Sequence, residues 1–276
     1  MKKWLRGLRN RHRDFDPIFI AGAMGSGTSL VAVALAERFD AGGLAYESAL
    51  HVAADSPLRI QAVKDFESIR AYEDSILPRA DWNVEAARES LLRLYRRTAT
   101  GDSRRVIDKG PNTNQVRAEF LAQCFPTAHF VAIFRDPVVN IEGFRRKWET
   151  FGDDTLEENI RFWAELHRRL LDTGSALGDR LNIVEYETLV NAPDAMLETL
   201  GQRLGLARGH SAIDLPDRPN EPGMGVRSFV GGHVSVESGA NAEAYERIGS
   251  DFAEQIRSAL DPIHQTLQER ALRPPA

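Results

Sequence analysis

The chain has 276 residues, of which 42% are hydrophobic and 27% are charged, a composition typical of globular proteins and a length sufficient for one large α/β domain. Its formal net charge of −5 at pH 7 gives no support for general nucleic-acid binding. The single cysteine, Cys124, excludes a disulfide framework and favours a reducing compartment, so we expect a cytoplasmic location.

Two regions differ in composition. Residues 1–16 form a leader rich in lysine and arginine that lacks an apolar core of signal-peptide length. We expect residues 17–276 to fold as a single α/β domain. No segment of the sequence has the roughly 20 consecutive apolar residues that a bilayer-spanning helix needs.

The first predicted elements are a strand, a loop and a helix. An apolar run, Ile18–Ile20, is followed by a glycine-rich stretch and then by the apolar-rich segment Leu30–Phe39. This pattern predicts a buried strand, a tight turn and a helix, which Thr28 or Ser29 can cap. Because N–H groups at a helix start attract anions, the junction is a candidate phosphate site.

The loop departs from the nucleotide-binding motif G-x-x-x-x-G-K-[ST]. Gly22 and Gly27 have the spacing of that motif, but Thr28 stands in place of the lysine and Ser29 follows it. A γ-phosphate would lack its lysine, which disfavours a nucleotide kinase. The loop therefore predicts a site for another phosphorylated nucleotide.

Strands and helices alternate along the rest of the chain, which predicts a three-layer, P-loop-like α/β fold with a central parallel sheet and helices on both faces. The segment Ser56–Arg79 is predicted to be a helical insertion or a mobile lid. The further predicted strands are Leu44–Glu47, Arg104–Asp108, His129–Phe134 and Leu181–Tyr186. The further predicted helices are Asn83–Thr98, Thr113–Cys124, one that starts at Pro137, Thr155–Leu177, Asn191–Leu204 and Ala240–Glu269.

Three candidate ligand-binding residues follow predicted strand ends. Gly25, Lys109 and Arg135 each come shortly after a different strand. Because open parallel sheets bind ligands beyond the carboxyl ends of their strands, we expect these residues to form one site.

Four segments resemble the sulfotransferases that use 3′-phosphoadenosine-5′-phosphosulfate (PAPS). Residues 22–30 (GAMGSGTSL) are similar to the loop of that family that binds the 5′-phosphosulfate. Residues 134–137 (FRDP) and the helix after them resemble its 3′-phosphate motif. Residues 184–193 (VEYETLVNAP) are similar to its Y-E-x-L-x-x-x-P segment, and residues 108–111 (DKGP) to its E-K-T-P segment.

The resemblance implies a function and a set of binding residues. The chain would move a sulfonate group from PAPS to a hydroxyl group of a small molecule, a glycan or a lipid, without a metal. Lys109 would neutralise charge on the transferring group. Arg135 would bind the 3′-phosphate, and the 5′-phosphate would be held by the loop residues Gly25, Ser26, Gly27, Thr28 and Ser29.

Two departures from the family pattern concern charge and hydrogen bonding. Gly25 replaces the basic residue that normally precedes S-G-T, and Gly143 replaces a serine of the 3′-phosphate motif. Lys109, Arg145 and Arg227 are the candidates to supply the missing positive charge. A protein that binds adenosine bisphosphate without catalysis is therefore an alternative hypothesis, as is a P-loop kinase.

The resemblance also points to a general base. Glu47 lies at a similar distance after the phosphate loop as a glutamate in related tyrosine and Golgi-type enzymes. His51 and His233 are the competing candidates. We expect Tyr186 and Glu187 to orient neighbouring loops. No cluster of His, Cys, Asp and Glu has metal-ligand spacing, which predicts that no metal is bound.

Overall fold

The computed structural model describes residues 14–44, 47–60, 68–100, 103–209, 229–230, 233–234 and 240–275. Its main sheet contains five strands, in the spatial order β2-β3-β1-β4-β5. All neighbouring strands run parallel, which confirms the predicted sheet. The strands are β1 Asp16–Gly22, β2 Gly42–Gly43, β3 Arg105–Lys109, β4 His129–Phe134 and β5 Leu181–Glu185.

Helices follow the strands. They are α1 Thr28–Arg38, α2 Ser48–His51, α3 Ile69–Ile76, α4 Val84–Thr98, α5 Pro111–Val116, α6 Ala118–Cys124, α7 Pro137–Lys147, α8 Glu149–Asp153, α9 Leu156–Leu177, α10 Tyr186–Asn191, α11 Pro193–Arg203, α12 Ala240–Ile248 and α13 Ser250–Arg270. A two-stranded antiparallel pair, β6 Phe229–Val230 and β7 His233–Val234, lies outside the main sheet.

Both faces of the central strands are buried, which explains their uninterrupted apolar sequences. Because side chains alternate along a strand, Ile18 and Ile20 of β1 pack on one face with α1 and α11, as do Val131 and Ile133 of β4. The intervening side chains of the same strands pack on the opposite face. Helices therefore cover both faces, as the sequence predicted.

The structure does not confirm the predicted strand Leu44–Glu47, because Leu44 and Glu47 are in no strand and Ala45 and Tyr46 lie outside the described residues. The edge strand β2 is instead the glycine pair Gly42–Gly43, which pairs with β3. A Cβ atom at Gly42 would lie only 2.0 Å from the carbonyl oxygen of Thr100, so the neighbouring backbone leaves room there for glycine alone. Glu47 lies beyond the strand and is the N-cap residue of α2.

Two predicted helices are each divided in the structure. The segment Thr113–Cys124 is interrupted at Arg117, whose buried guanidinium donates to the carbonyl oxygens of Leu58, Ser75 and Ile76. The C-terminal segment is interrupted at Gly249, which has a φ of +83°. Within the described part of the chain, no helix is long and apolar enough to cross a membrane.

The strand register brings the predicted functional segments to one edge of the sheet. Gly22 at the end of β1 is level with Ile133 of β4, and Lys109 at the end of β3 is level with Ile20. The end of β4 is in turn level with Glu185 of β5. The phosphate loop and the residues after β3, β4 and β5 therefore share this edge.

Candidate active site

The glycine-rich loop between β1 and α1 depends on positive φ angles. Gly25 has a φ of +79° and Gly27 a φ of +106°, values that residues with side chains rarely adopt. Gly27 is the N-cap of α1, and the helix begins at Thr28 without a side-chain capping bond. The prediction that Thr28 or Ser29 caps the helix is therefore wrong, because both residues already lie inside it.

Asparagine side chains that the sequence interpretation missed hold this loop in place. The backbone N–H of Met24 donates to Oδ1 of Asn112, at 3.0 Å, and Nδ2 of Asn140 donates to the Met24 carbonyl oxygen, at 2.7 Å. The indole N–H of Trp163 donates in turn to Oδ1 of Asn140, at 3.2 Å. A signal was present in residues 111–115 (PNTNQ), a polar run that is buried in the structure.

Arg135 follows β4 and is held by several partners. Its guanidinium lies 4.3 Å from the centre of the Tyr186 ring, and one terminal nitrogen donates to Oδ1 of Asn241, at 2.8 Å. The Glu187 carboxylate lies 3.9 Å from the Arg135 Nε atom. Burial raises the pKa of Glu187, and the positive charge of Arg135 opposes that rise.

The Tyr186 ring connects the loop to Arg135. A Cβ atom at Gly27 would lie 2.6 Å from a ring carbon of Tyr186, so the loop backbone packs directly against the ring that Arg135 also contacts. The loop and Arg135 thus lie at adjacent strand ends, and both contact Tyr186.

Glu47 and Lys109 meet at the end of β3. Nζ of Lys109 lies 3.2 Å from Oε1 of Glu47, and both side chains are partly buried. Because Glu47 is the N-cap of α2, its position depends on how that short helix is anchored. The structure therefore pairs the two residues that were predicted to be catalytic.

A buried acid lies directly before Lys109 in β3. Asp108 is fully buried, and its Oδ2 accepts a hydrogen bond from the Tyr95 hydroxyl at 2.6 Å. Burial raises the pKa of Asp108 to about 6, while hydrogen bonds from Tyr95, Ser48 and Asn114 act in the opposite direction. Ser48, the first residue of α2, therefore lies near this buried acid.

The other candidate residues are less well placed or lie outside the described residues. His51 is mostly exposed. The part of its ring that is shielded from water, together with the positive charges of Arg59 and Arg97, lowers its pKa. Arg145 donates to the carbonyl oxygen of Asp154, away from the loop. Arg227 lies outside the described residues, and so does the side chain of the third candidate base, His233.

Two buried polar atoms without hydrogen-bond partners bear on whether the site fits a phosphorylated nucleotide. Oγ of Ser26 and Nε of Arg135 are buried, and neither has a hydrogen-bond partner among the described residues. Both atoms can donate a hydrogen bond, so an anion at either strand end would satisfy them. In the same described residues, no group of three or more His, Cys, Asp or Glu side chains could hold a metal ion.

The fold is that of a P-loop-like α/β protein, and comparisons with known proteins identify its family. The family model described as "Sulfotransferase family" matches residues 17–209, and the chain belongs to that family. Two curated relatives are the omega-hydroxy-beta-dihydromenaquinone-9 sulfotransferases Stf3 of Mycobacterium tuberculosis and Mycobacterium bovis. Each is 30% identical over 148 residues, which are 48% of this chain and 36% of the relative.

Solved structures show a similar fold. Sulfotransferase STF1 from Mycobacterium tuberculosis superimposes with a TM-score of 0.51 and 12% identity, covering 94% of this chain and 79% of the other. Sulfotransferase STF9 from Mycobacterium avium gives a TM-score of 0.50 and 12% identity, covering 96% of this chain and 79% of the other. These matches support the predicted P-loop-like fold.

Proposed function

We propose that this chain transfers a sulfonate group from PAPS to a hydroxyl-bearing acceptor. The observation that carries the proposal is the shared strand edge, where the phosphate loop and Arg135 contact the same Tyr186 ring and the Glu47–Lys109 pair lies at the next strand end. Membership of the sulfotransferase family supports it.

The two ends of the donor nucleotide would be held by different kinds of group. Main-chain N–H groups and the hydroxyls of Ser26, Thr28 and Ser29 would hold the 5′-phosphate, where α1 starts with its positive dipole end. Arg135 would hold the 3′-phosphate, because a guanidinium matches the spacing of phosphate oxygens. Its Nε atom makes no hydrogen bond among the described residues, and the Glu187 carboxylate lies 3.9 Å from it.

The reaction would use the Glu47–Lys109 pair. The donor supplies a sulfonate group attached to a phosphate leaving group. Glu47 would accept the proton of the acceptor hydroxyl, a role that typically contributes about 10²–10⁴-fold to the rate. Lys109 would stabilise negative charge near the leaving oxygen and keep the Glu47 carboxylate in position until the acceptor binds.

The acceptor is proposed only as a class of compound. It would carry a hydroxyl group on a small molecule, a glycan or a lipid. The curated relatives act, by their names, on a hydroxylated menaquinone, so alcohols on isoprenoid chains belong in the acceptor panel beside phenols and sugars.

The test combines nucleotide binding with sulfonate transfer. Isothermal titration with adenosine 3′,5′-bisphosphate, the product nucleotide, measures donor-site affinity, and labelled PAPS with the acceptor panel measures turnover. In Glu47→Gln we expect kcat to fall by about 10²–10⁴-fold while nucleotide affinity stays within about threefold of the wild-type value. His51→Gln is the matched control and should retain activity.

The possible outcomes separate the alternatives. Nucleotide binding without turnover on any acceptor would favour a non-catalytic bisphosphate-binding protein. Loss of activity in His51→Gln but not in Glu47→Gln would show that the base is wrongly assigned. The absence of any bisphosphate binding by the wild-type chain would overturn the proposed donor.

A further inference from the structure

We propose that Asn112 and Asn140 are positioning residues that fix the phosphate loop by clamping the main chain of Met24 from two sides. This inference rests on the proposed function, because it assigns a role in binding the donor. Both side chains are almost completely buried, and each is within hydrogen-bond distance of a Met24 backbone group. The clamp therefore acts on the loop itself.

The clamp restricts the direction of a loop N–H group. Nδ2 of Asn140 holds the Met24 carbonyl oxygen at 2.7 Å. The peptide bonds of the described chain are trans, so the Gly25 N–H must point away from Asn140. Since Gly25 offers no side chain to an anion, the direction of the main-chain donors decides how well this part of the loop binds one.

The orientation of the Asn140 amide is determined by its two partners. The Trp163 indole N–H can only donate, and the Met24 carbonyl can only accept. Oδ1 of Asn140 must therefore face Trp163, and Nδ2 must face the loop. Trp163 is fully buried in the core, so the clamp is anchored to the rigid part of the molecule.

The clamp also connects the three strand ends. Asn112 lies on α5, which follows Lys109, and Asn140 lies on α7, which follows Arg135. Met24 is held between these two helices, so its main chain sets the position of the loop relative to both cationic residues. A buried asparagine elsewhere in the fold would contribute to stability but would not hydrogen-bond to the main chain of the phosphate loop.

The experiment compares Asn140→Ala and Asn112→Ala with Asn159→Ala. Asn159 is equally buried and donates to the carbonyl oxygens of Phe151 and Thr155, away from the loop. We expect each clamp variant to weaken binding of adenosine 3′,5′-bisphosphate by about tenfold, since a loop that is no longer held must be ordered when the nucleotide binds. Asn159→Ala should change this affinity by less than about twofold, even if its melting temperature falls as far as that of the clamp variants.

An isosteric pair provides a second test if the alanine variants do not fold. Asn112→Asp keeps an acceptor for the Met24 N–H, whereas Asn140→Asp loses the donor to the Met24 carbonyl. Both variants add the same negative charge near the anion site. We therefore expect Asn140→Asp to bind the bisphosphate more weakly than Asn112→Asp, and equal affinities would contradict the clamp.

Hydrogen exchange of the ligand-free protein separates this inference from the proposed function. In Asn140→Ala, amides of residues 24–29 should exchange faster than in the wild type, while Asn159→Ala should leave them unchanged. If the wild-type chain binds no bisphosphate but Asn140→Ala still speeds loop exchange, the clamp is supported and the proposed donor is overturned. Unchanged loop exchange together with unchanged affinity in the clamp variants would overturn the clamp itself.

Discussion

The two halves of the candidate active site use different kinds of group. At the ends of β1 and β4, the proposed anion binding would depend on the loop main chain and on the permanent charge of Arg135. At the end of β3, Glu47 and Lys109 form an ion pair next to the buried acid Asp108. We call these regions the nucleotide half and the reaction half.

The difference has a consequence for pH dependence. Main-chain amides do not titrate and arginine stays protonated at all ordinary pH values, so the protein donors of the nucleotide half keep their charge near neutral pH, while the phosphate groups of the ligand titrate at about pH 6. The reaction half contains carboxyl groups, one of which has its pKa raised to about 6 by burial. A change of pH near 6 should therefore alter the charge of Asp108 in this half.

The largest effect is expected from removing the charge of the nucleotide half. Arg135→Ala should weaken binding of adenosine 3′,5′-bisphosphate by about 10²-fold or more, because hydrogen bonds to charged groups are among the strongest in proteins. Isothermal titration at pH 8, where the phosphate groups of the ligand are fully ionised, measures this loss.

Arg146→Ala is the control for this substitution. Arg146 lies on α7, and its side chain pairs with Glu142 rather than with the loop. An affinity close to that of the wild type in Arg135→Ala, or an equal loss in the control, would show that Arg135 does not anchor the nucleotide.

The nucleotide half was largely predictable from local sequence. Closely spaced glycines between an apolar strand and a helix are typical of a loop that approaches an anion, and an arginine directly after a buried strand suggested the proposed second anchor. The side chains that support these groups were not predictable. Asn112 and Asn140 lie 28 residues apart in the chain and contact the loop only because β3, β1 and β4 are adjacent in the sheet.

The reaction half was harder to predict. The sequence predicted that Glu47 lies on a strand, but the strand in the structure is Gly42–Gly43. Glycine is required at Gly42 because the Thr100 backbone approaches closely, and apolar residues do not mark this strand. The Tyr95–Asp108 hydrogen bond joins a helix to a strand across the fold. Propensity and periodicity carry no information about such a contact, because each residue fits an ordinary local pattern.

An intermediate effect is expected from Asp108, measured as stability rather than binding. Its pKa is about 6 in the folded protein, above the ordinary value of 3.8, so the folded state holds the proton more tightly than the unfolded state. The contribution of Asp108 to the free energy of unfolding is therefore lost as pH rises through about 6. Between pH 4 and pH 8 the free energy of unfolding should fall by about 2 kcal/mol because of Asp108, and the Asp108→Asn variant should lack this fall.

Urea denaturation at several pH values measures the free energy of unfolding of the wild type and of Asp108→Asn. The variant Tyr95→Phe tests the contribution of one hydrogen bond to the Asp108 pKa. The groups that face Asp108 are Tyr95, Ser48, Asn114 and, through its charge, Glu47. Because the Tyr95 hydrogen bond lowers the Asp108 pKa, its removal should move the loss of stability to higher pH. Parallel pH profiles for the wild type and Asp108→Asn would contradict the raised pKa.

The smallest effect is expected from Tyr186, which acts on the nucleotide half through Arg135. Tyr186→Leu removes the ring that lies 4.3 Å from the guanidinium and should weaken bisphosphate binding by about three- to tenfold, in line with cation–π energies of about 0.5–1 kcal/mol or more. Tyr186→Phe keeps the ring and should bind within about twofold of the wild type.

A double-mutant cycle distinguishes this indirect role from a separate contact with the nucleotide. If Tyr186 acts by orienting Arg135, Tyr186→Leu should cause almost no further loss once Arg135→Ala is present, because the two residues share one interaction. Fully additive losses would instead mean that the ring contributes to binding independently of Arg135. The stacking seen in the structure would then not explain how Tyr186 supports the nucleotide half.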